Sequence, residues 1–190
     1  MSLFRPDDAT LTEYVYRSLK IEGIPADVRD HIHFGQHLEI ARRIRDGRCW
    51  YSCREIQAAI MKNNAGFYDV PGVYRDDVVY FGSKGMPLPQ HVKKLMEDWE
   101  YEVNLCLGEW ESSVFNDMDT GARLNKLHDH ALCIHPFPDG NGRTFRLMLN
   151  QCRQIKGLKW IMYEGDMSIR MKRLRHYEET EFRPKYAWSY

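Results

Sequence analysis

What this chain lacks narrows its class before any motif is considered. No uninterrupted apolar run exceeds about four residues, Val78 to Phe81 being one, and a bilayer-crossing helix needs about 20. The amino-terminal stretch MSLFRPDDATLTEY is polar and has neither a basic n-region nor an apolar core, so a cleaved signal is not expected and a cytoplasmic location is. Neither charge sign is in excess: Lys plus Arg and Asp plus Glu both total 27, and the pI is near 7.1. Nucleic acid and anionic membranes are therefore not expected partners. Five cysteines (Cys49, Cys53, Cys106, Cys133, Cys152) are odd in number and form no CxxC pair, which removes a disulfide framework and leaves them as small apolar fillers. The P-loop pattern GxxxxGK(S/T) and the zincin pattern HExxH are absent. No repeat, low-complexity tract or Pro/Gly/Ser linker divides the chain, so 190 residues, 43% hydrophobic, read as one domain over 1–190 with its own core.

What is present is mostly helical periodicity. Thr10 with Glu13 forms a capping-box pattern ahead of Leu11, Tyr14, Val15 and Leu19, and Gly23 is the natural stop. Pro25, Val28, Ile32, Ala41 and Ile44 support a second helix ending by Gly47, and Ser52 with Glu55 caps a third that stops over 63–66. From Gly72 to Pro89 the residues Val73, Tyr74, Val78, Val79, Tyr80 and Phe81 favour strand and 82–85 favour a turn, which predicts one β-hairpin. Pro89 restarts helix with Val92, Leu95, Met96, Trp99 and Val103 on one face. A fifth helix carries Leu124, Leu127, His128, Ala131 and His135, a sixth runs from about Asn141 to Ile155, and a last spans roughly Asp166 to Phe182 before Pro184. The expected fold is mainly α, a helical bundle with one small hairpin.

The densest chemical signal is His135-Pro-Phe-Pro-Asp139-Gly-Asn-Gly-Arg143-Thr-Phe-Arg146. Gly140 and Gly142 permit backbone geometries closed to other residues, and the entry of Asn141-Gly142-Arg143 into a helix leaves N–H groups at the positive end of its dipole, a nest for an anion. Arg143 and Arg146 lie three apart, on nearly one helix face, where both reach phosphates further along a chain. A carboxylate beside phosphates is repulsive without a cation between them, so Asp139 reads as a metal-phosphate ligand. His135 is the group here that can take a proton near neutral pH. A plain Gly-rich turn would account for DGNG alone; base, metal carboxylate, nest and paired arginines within twelve residues point to phosphoryl chemistry.

This segment resembles the Fic signature HxFx(D/E)GNGRxxR at every defined position, and PGVYRDDVVYFGSKGMPLP upstream is similar to the Fic flap hairpin, so the likeness covers about 72–155. The resemblance implies a transferase that moves the AMP part of ATP, with Mg²⁺, onto a hydroxyl of a target protein, self-modification included. It implies His135 as the base, Phe137 as the loop's core anchor and Asp139 as the Mg²⁺ ligand between α and β phosphates. Gly140, Asn141 and Gly142 would form the α-phosphate hole, with Arg143 on the phosphates and Arg146 on the γ phosphate. The flap, with Val78, Val79, Tyr80 and Phe81, would align the target by strand addition. Doc-type members, which use ATP as a phosphate donor, carry Lys where this chain has Gly142, which favours AMP transfer. The catalytic helix–loop–helix is placed at 119–157 and the flap at 72–89.

Glu22 ends the first helix, where a negative charge faces the negative end of the dipole. Ser18-Leu-Lys-Ile-Glu22-Gly23 is similar to the Fic inhibitory motif (S/T)xxxE(G/N), so residues 1–24 would be an inhibitory helix with Glu22 on Arg146, in the place of the γ phosphate. The histidine clusters His31/His33/His37 and His128/His130/His135 do not converge at helical spacing, since residues two apart point about 200° apart. The basic stretch Arg170 to Arg175 is offset by Glu178, Glu179 and Glu181. Two alternatives stand beside the adenylyltransferase: a non-catalytic nucleotide-binding regulatory module, and a Fic enzyme transferring another phosphate-containing group. The presence of His135 favours an enzyme, because a pure binder needs no base there.

Overall fold

In the computed structural model, residues 5–24, 32–47, 49–62, 70–81, 84–108, 117–163 and 174–182 are described. Their elements in chain order are α1 (Asp8–Ile21), α2 (Ile32–Asp46), α3 (Cys53–Met61), β1 (Tyr80–Phe81), β2 (Lys84–Gly85), α4 (Pro89–Gly108), α5 (Asp117–Ile134), α6 (Asn141–Ile155) and a π-helical turn (Glu178–Phe182). The protein is mainly helical, as its periodicity predicts, and falls into two compact units, one of residues 1–73 and 139–164, the other of 74–138 and 165–190. Among the described residues no helix is long and apolar enough to cross a membrane.

In the first unit α1, α2, α3 and α6 pack together. The core takes Leu11, Tyr14, Val15 and Leu19 from α1, Ile40, Ala41 and Ile44 from α2, and Ile56 and Ile60 from α3, all 0–2% exposed. Asp8 pairs with Arg42 (2.8 Å) and Arg45, tying the start of α1 to α2. Helix α6 is buried along nearly its whole length: between Asn141 and Gln154 only Gly142 and Arg153 are not. Its buried amides fix what surrounds it. Gln151 exchanges hydrogen bonds with the backbone of Tyr51 (2.7 and 3.1 Å), Asn150 does so with Ile161 (3.3 and 2.8 Å), and Gln154 donates to Ile44 O and Arg45 O while accepting from Trp160 Nε1 (2.9 Å). A buried amide is stable only when its polar atoms are satisfied, so these pairs specify where each neighbouring backbone docks.

Caps define the ends of these helices. Ser52 and Glu55 form the expected capping box on α3. On α1 the cap is Asp7, whose Oδ1 accepts from Thr10 N at 2.7 Å. The expectation of Thr10 as the cap is corrected: Asp, a stronger cap than Thr, takes the role three residues earlier and leaves Thr10 inside the helix. Gly23 (φ 73) closes α1 in a Schellman motif, Gly23 N to Lys20 O (3.1 Å) and Ile24 N to Leu19 O (3.3 Å). The Pro25–Val28 start of the second helix and the stop over 63–66 lie outside the described residues.

In the second unit α4 and α5 lie face to face, with Val92, Leu95, Met96, Trp99 and Val103 of α4 at 0–2% exposure and Trp99 Nε1 donating to Leu127 O at 2.7 Å. The π-helical turn packs on α5, with Phe182 5.3 Å from the His130 ring. It is the described end of the expected last helix; residues 166–173 and Pro184 lie outside the described residues. The hairpin expected over 72–89 does not form at that span. Tyr80 and Phe81 pair with Gly85 and Lys84 in a two-residue antiparallel ladder, extended by Met86 N to Val79 O (3.0 Å). Residues 73–79 form no strand, and the Arg75 N–H in their middle is taken by Pro136 O at 2.9 Å, sixty-one residues away in the chain. His135 is likewise corrected from helix interior to the residue after the end of α5, with φ 50.

Candidate active site

The signature straddles the division, His135 to Pro138 belonging to the second unit and Asp139 to Arg146 to the first. In the first unit, Gly140 is the N-cap of α6 in a left-handed conformation (φ 78, ψ 5) and makes no side-chain cap. A Cβ there would be strained by its φ and would lie 3.2 Å from Met61 Sδ. The N-cap itself thus puts no side-chain oxygen on the first turn of α6, a feature of anion nests, and the oxygens beside that turn come from Asp139 and Glu22. Asp139 borders it, with Oδ1 accepting from Gly140 N (2.5 Å) and Oδ2 from Arg143 Nη2 (3.1 Å). Arg143 is 3% exposed, and its Nε and Nη1 make no hydrogen bond among the described residues.

Arg146, 5% exposed, is held by α1. Its Nε donates to Ser18 Oγ (2.9 Å), and its Nη2 to Ser18 O (2.9 Å) and to Glu22 Oε1 (2.5 Å). The Tyr163 ring lies 5.8 Å from the guanidinium carbon. Glu22 is the C-cap of α1, and Arg146 offsets the unfavourable dipole the sequence implied for it. A Cβ on Gly142 would collide with Glu22 Oε1 and lie 2.9 Å from Arg146 Nη1. Glycine at 142 is therefore a matter of space: the Glu22 carboxylate lies directly over its Cα.

Behind this pair stands His37 on α2, fully buried, in edge contact with Tyr14 (5.9 Å), neither ring nitrogen hydrogen-bonded among the described residues. Burial first, and then the positive charges of Arg146, Arg143 and His33, push its imidazole well below the ordinary 6.5, so it is neutral. Gln57 of α3 is a support that motif reasoning did not single out. Its Nε2 donates to Asp139 O (3.2 Å) while its Oε1 accepts from Gly72 N (2.5 Å), bracing the loop ahead of α6. Apart from its place in the amphipathic pattern, nothing local in the sequence marks it.

Among the described residues no group of three or more His, Cys, Asp and Glu gathers to hold an ion. A lone carboxylate, 38% exposed, beside an anion nest suits Mg²⁺ that arrives on a nucleotide and keeps its waters, with Asp139 as one ligand. It does not suit a resident, protein-caged ion. Four of the five cysteines are buried, as fillers would be, and Cys49 is exposed.

In the second unit, His135 is the only residue other than glycine at positive φ among the described residues. That conformation costs roughly 1–2 kcal/mol and persists only where its surroundings dictate it. Phe137 is fully buried with its ring 5.4 Å from Tyr74. In the ladder segment Val78 and Tyr80 are 48% and 69% exposed and Val79 is half-buried. A cavity of about 290 Å³ lies between α4 and α5, bordered by Glu102, Arg123 and Lys126; no signature residue lines it.

A mainly helical chain whose α6 opens on a Gly-rich anion nest has close relatives in fold. The model of the Fic/DOC family matches residues 52–152, just over half of the chain. The chain belongs to the Fic/DOC family, whose members typically transfer nucleotide-derived groups onto proteins. Among solved structures it is similar to a Fic domain containing signaling protein from Bacteroides thetaiotaomicron (TM-score 0.70, 21% identity, covering 90% of this chain and 73% of that one). It is also similar to Fic-1 from C. elegans (0.60, 20%, 93% and 58%) and to a Fic family protein from Desulfovibrio desulfuricans (0.53, 18%, 90% and 56%). At these identities the likeness is one of fold, and the chain spans a little over half the length of the last two.

Proposed function

We propose that this protein is a protein adenylyltransferase that moves AMP from ATP onto a Ser, Thr or Tyr hydroxyl of a target protein, and that Glu22 holds it in check. The observation that carries the reading is the uncapped positive end of α6 behind left-handed Gly140, with Arg143 and Arg146 buried in its first two turns and a carboxylate on the outer arginine. In the reaction the target hydroxyl oxygen attacks the α phosphorus, the bond from that phosphorus to the bridging oxygen breaks, and pyrophosphate leaves. His135 takes the hydroxyl proton as the new phosphodiester forms. The N–H groups of Gly140 to Gly142 receive the charge that builds on the α phosphate, and Arg143 holds the phosphates further out. Asp139 would hold Mg²⁺ brought in with ATP, and the ion would supply neutralisation of phosphate charge there.

Arg146 is the partner for the γ phosphate, and Glu22 competes for it. With Glu22 in place ATP sits with its α phosphorus turned away from attack; without it the γ phosphate takes the guanidinium and the chain is aligned. The exposed Val78 and Tyr80 beside the ladder suit strand addition of a target, including a second copy of this protein as substrate. Gly142 stands where Doc-type members carry lysine, which supports AMP transfer over phosphate transfer. Incubation of the parent and Glu22→Gly proteins with α-labelled and γ-labelled ATP in turn, with Mg²⁺ and a lysate, tests this. Label from the α position alone supports the reading, label from γ replaces it with phosphate transfer, and no label from either in Glu22→Gly leaves a nucleotide-binding regulator.

A further inference from the structure

Arg75 lies in the irregular stretch between Gly72 and β1 and is 4% exposed. Its Nε donates to His135 O (2.7 Å), its Nη2 to Pro87 O (2.6 Å) and Ile134 O (3.3 Å), and its Nη1 to Asp77 O (2.7 Å). With its own N–H on Pro136 O, one residue takes three successive carbonyls, 134 to 136, at the end of α5. Ile134 O is a carbonyl the helix end leaves without an intrahelical partner, and the other two follow directly, at the negative pole of the dipole. No carboxylate pairs with the guanidinium among the described residues, and burial lowers its pKa to about 10, so it stays charged at neutral pH. Burying a charge without a counter-ion is costly, so the carbonyl cage must give something in return.

The two remaining acceptors show what. Asp77 O precedes β1 and Pro87 O follows β2, so the guanidinium joins both legs of the ladder to the residue held at φ 50. We infer that Arg75 is a positioning residue that sets the backbone of His135 and locks the target-docking ladder to it, so that base and docked hydroxyl share one frame. This rests on the reading of His135 as the base. A lysine cannot replace it: an ammonium is a point charge with three donors and cannot reach acceptors fanned across a planar fork.

In the Glu22→Gly background, Arg75→Lys is expected to keep its Tm within a few degrees and bind ATP within about twofold of Glu22→Gly alone, while AMP transfer at saturating ATP falls about tenfold or more. The Cα and ring resonances of His135 should shift in the same variant, and guanidinium ion should restore part of the transfer lost in Arg75→Ala. Undiminished transfer in Arg75→Lys, or transfer and ATP affinity falling by the same factor, would overturn the inference. Should neither variant fold, amide exchange in the parent decides it. His135 and Met86 should open together with the Arg75 Nε–H, and independent opening sinks the inference. If Glu22→Gly itself transfers no AMP, the proposed function fails, while the resonances and the exchange rates still decide whether Arg75 sets His135.

Discussion

At the residue scale, the side chains nearest the chemistry divide into those that react and those that hold. His135→Ala is expected to abolish AMP transfer while ATP affinity stays within a few-fold, because a base acts on the attacking hydroxyl and barely touches the phosphates. Calorimetric titration beside a label-transfer assay checks both halves, and full transfer in the variant would remove His135 as the base. His37 holds, and it should set a limit on acid stability. Its neutral form is kept in the folded protein by burial and by the nearby Arg146, Arg143 and His33. The unfolded chain therefore binds the proton first, and folding loses stability as pH falls below about 6.5, with no effect above it. The carboxylates Asp7, Asp8 and Glu55, lowered by their hydrogen bonds, act below their ordinary 3.8 to 4.5 and leave this window clear. His37→Phe keeps an aromatic edge on Tyr14 and cannot titrate, so the drop in Tm between pH 7 and pH 5 should be smaller than in the parent. An equal drop in both proteins would show that other groups carry the acid sensitivity.

At the scale of elements, legibility followed how local the cause was. The Ser52/Glu55 box, the Gly23 stop and the extent of α6 could be read because each rests on residues within one turn of one another. The β segment could not: its apolar, β-branched residues favour strand, but Arg75 gives its own N–H and its guanidinium to carbonyls at 134–136, which no local pattern reveals. The signature was legible residue by residue, while Gln57, Arg75 and His37, which brace it, were not, since each acts across distances in sequence that spacing does not encode. Helix α3 illustrates the difference and allows a paired test. Ser52→Ala removes a cap and should cost about 1 kcal/mol, a fall in Tm of about 2–4 °C at this chain length, with Mg²⁺-ATP affinity unchanged. Gln57→Leu leaves the cap intact but releases Asp139 O and Gly72 N, so it should weaken Mg²⁺-dependent ATP binding. Unchanged binding in Gln57→Leu would reduce α3 to packing alone.

For the whole molecule, the proposed function requires the ion pair between α1 and α6 to make nucleotide binding and stability report on each other. A ligand that binds only the folded protein stabilises it by RT ln(1 + [L]/Kd), so two ligands differing tenfold in affinity differ by about 1.4 kcal/mol in stabilisation when both are well above Kd. ATP and ADP differ by the γ phosphate. In the parent, Arg146 is already bonded to Glu22 and Ser18, so the γ phosphate gains no guanidinium, and ATP and ADP should raise Tm by nearly equal amounts. In Glu22→Gly the guanidinium keeps its Ser18 bonds but loses its counter-ion; the protein without nucleotide should melt earlier, and ATP should then stabilise it more than ADP by about 3–6 °C for each tenfold gain in affinity. Arg146→Ala, alone or with Glu22→Gly, should erase the difference between the nucleotides, because the group through which Glu22 acts is gone. The four proteins, each with ATP, ADP and no nucleotide at fixed Mg²⁺, form a cycle that needs no target protein. An ATP preference already present in the parent, or a Glu22→Gly protein that cannot tell ATP from ADP, would leave the Glu22–Arg146 pair as a clasp between α1 and α6 with no bearing on the nucleotide.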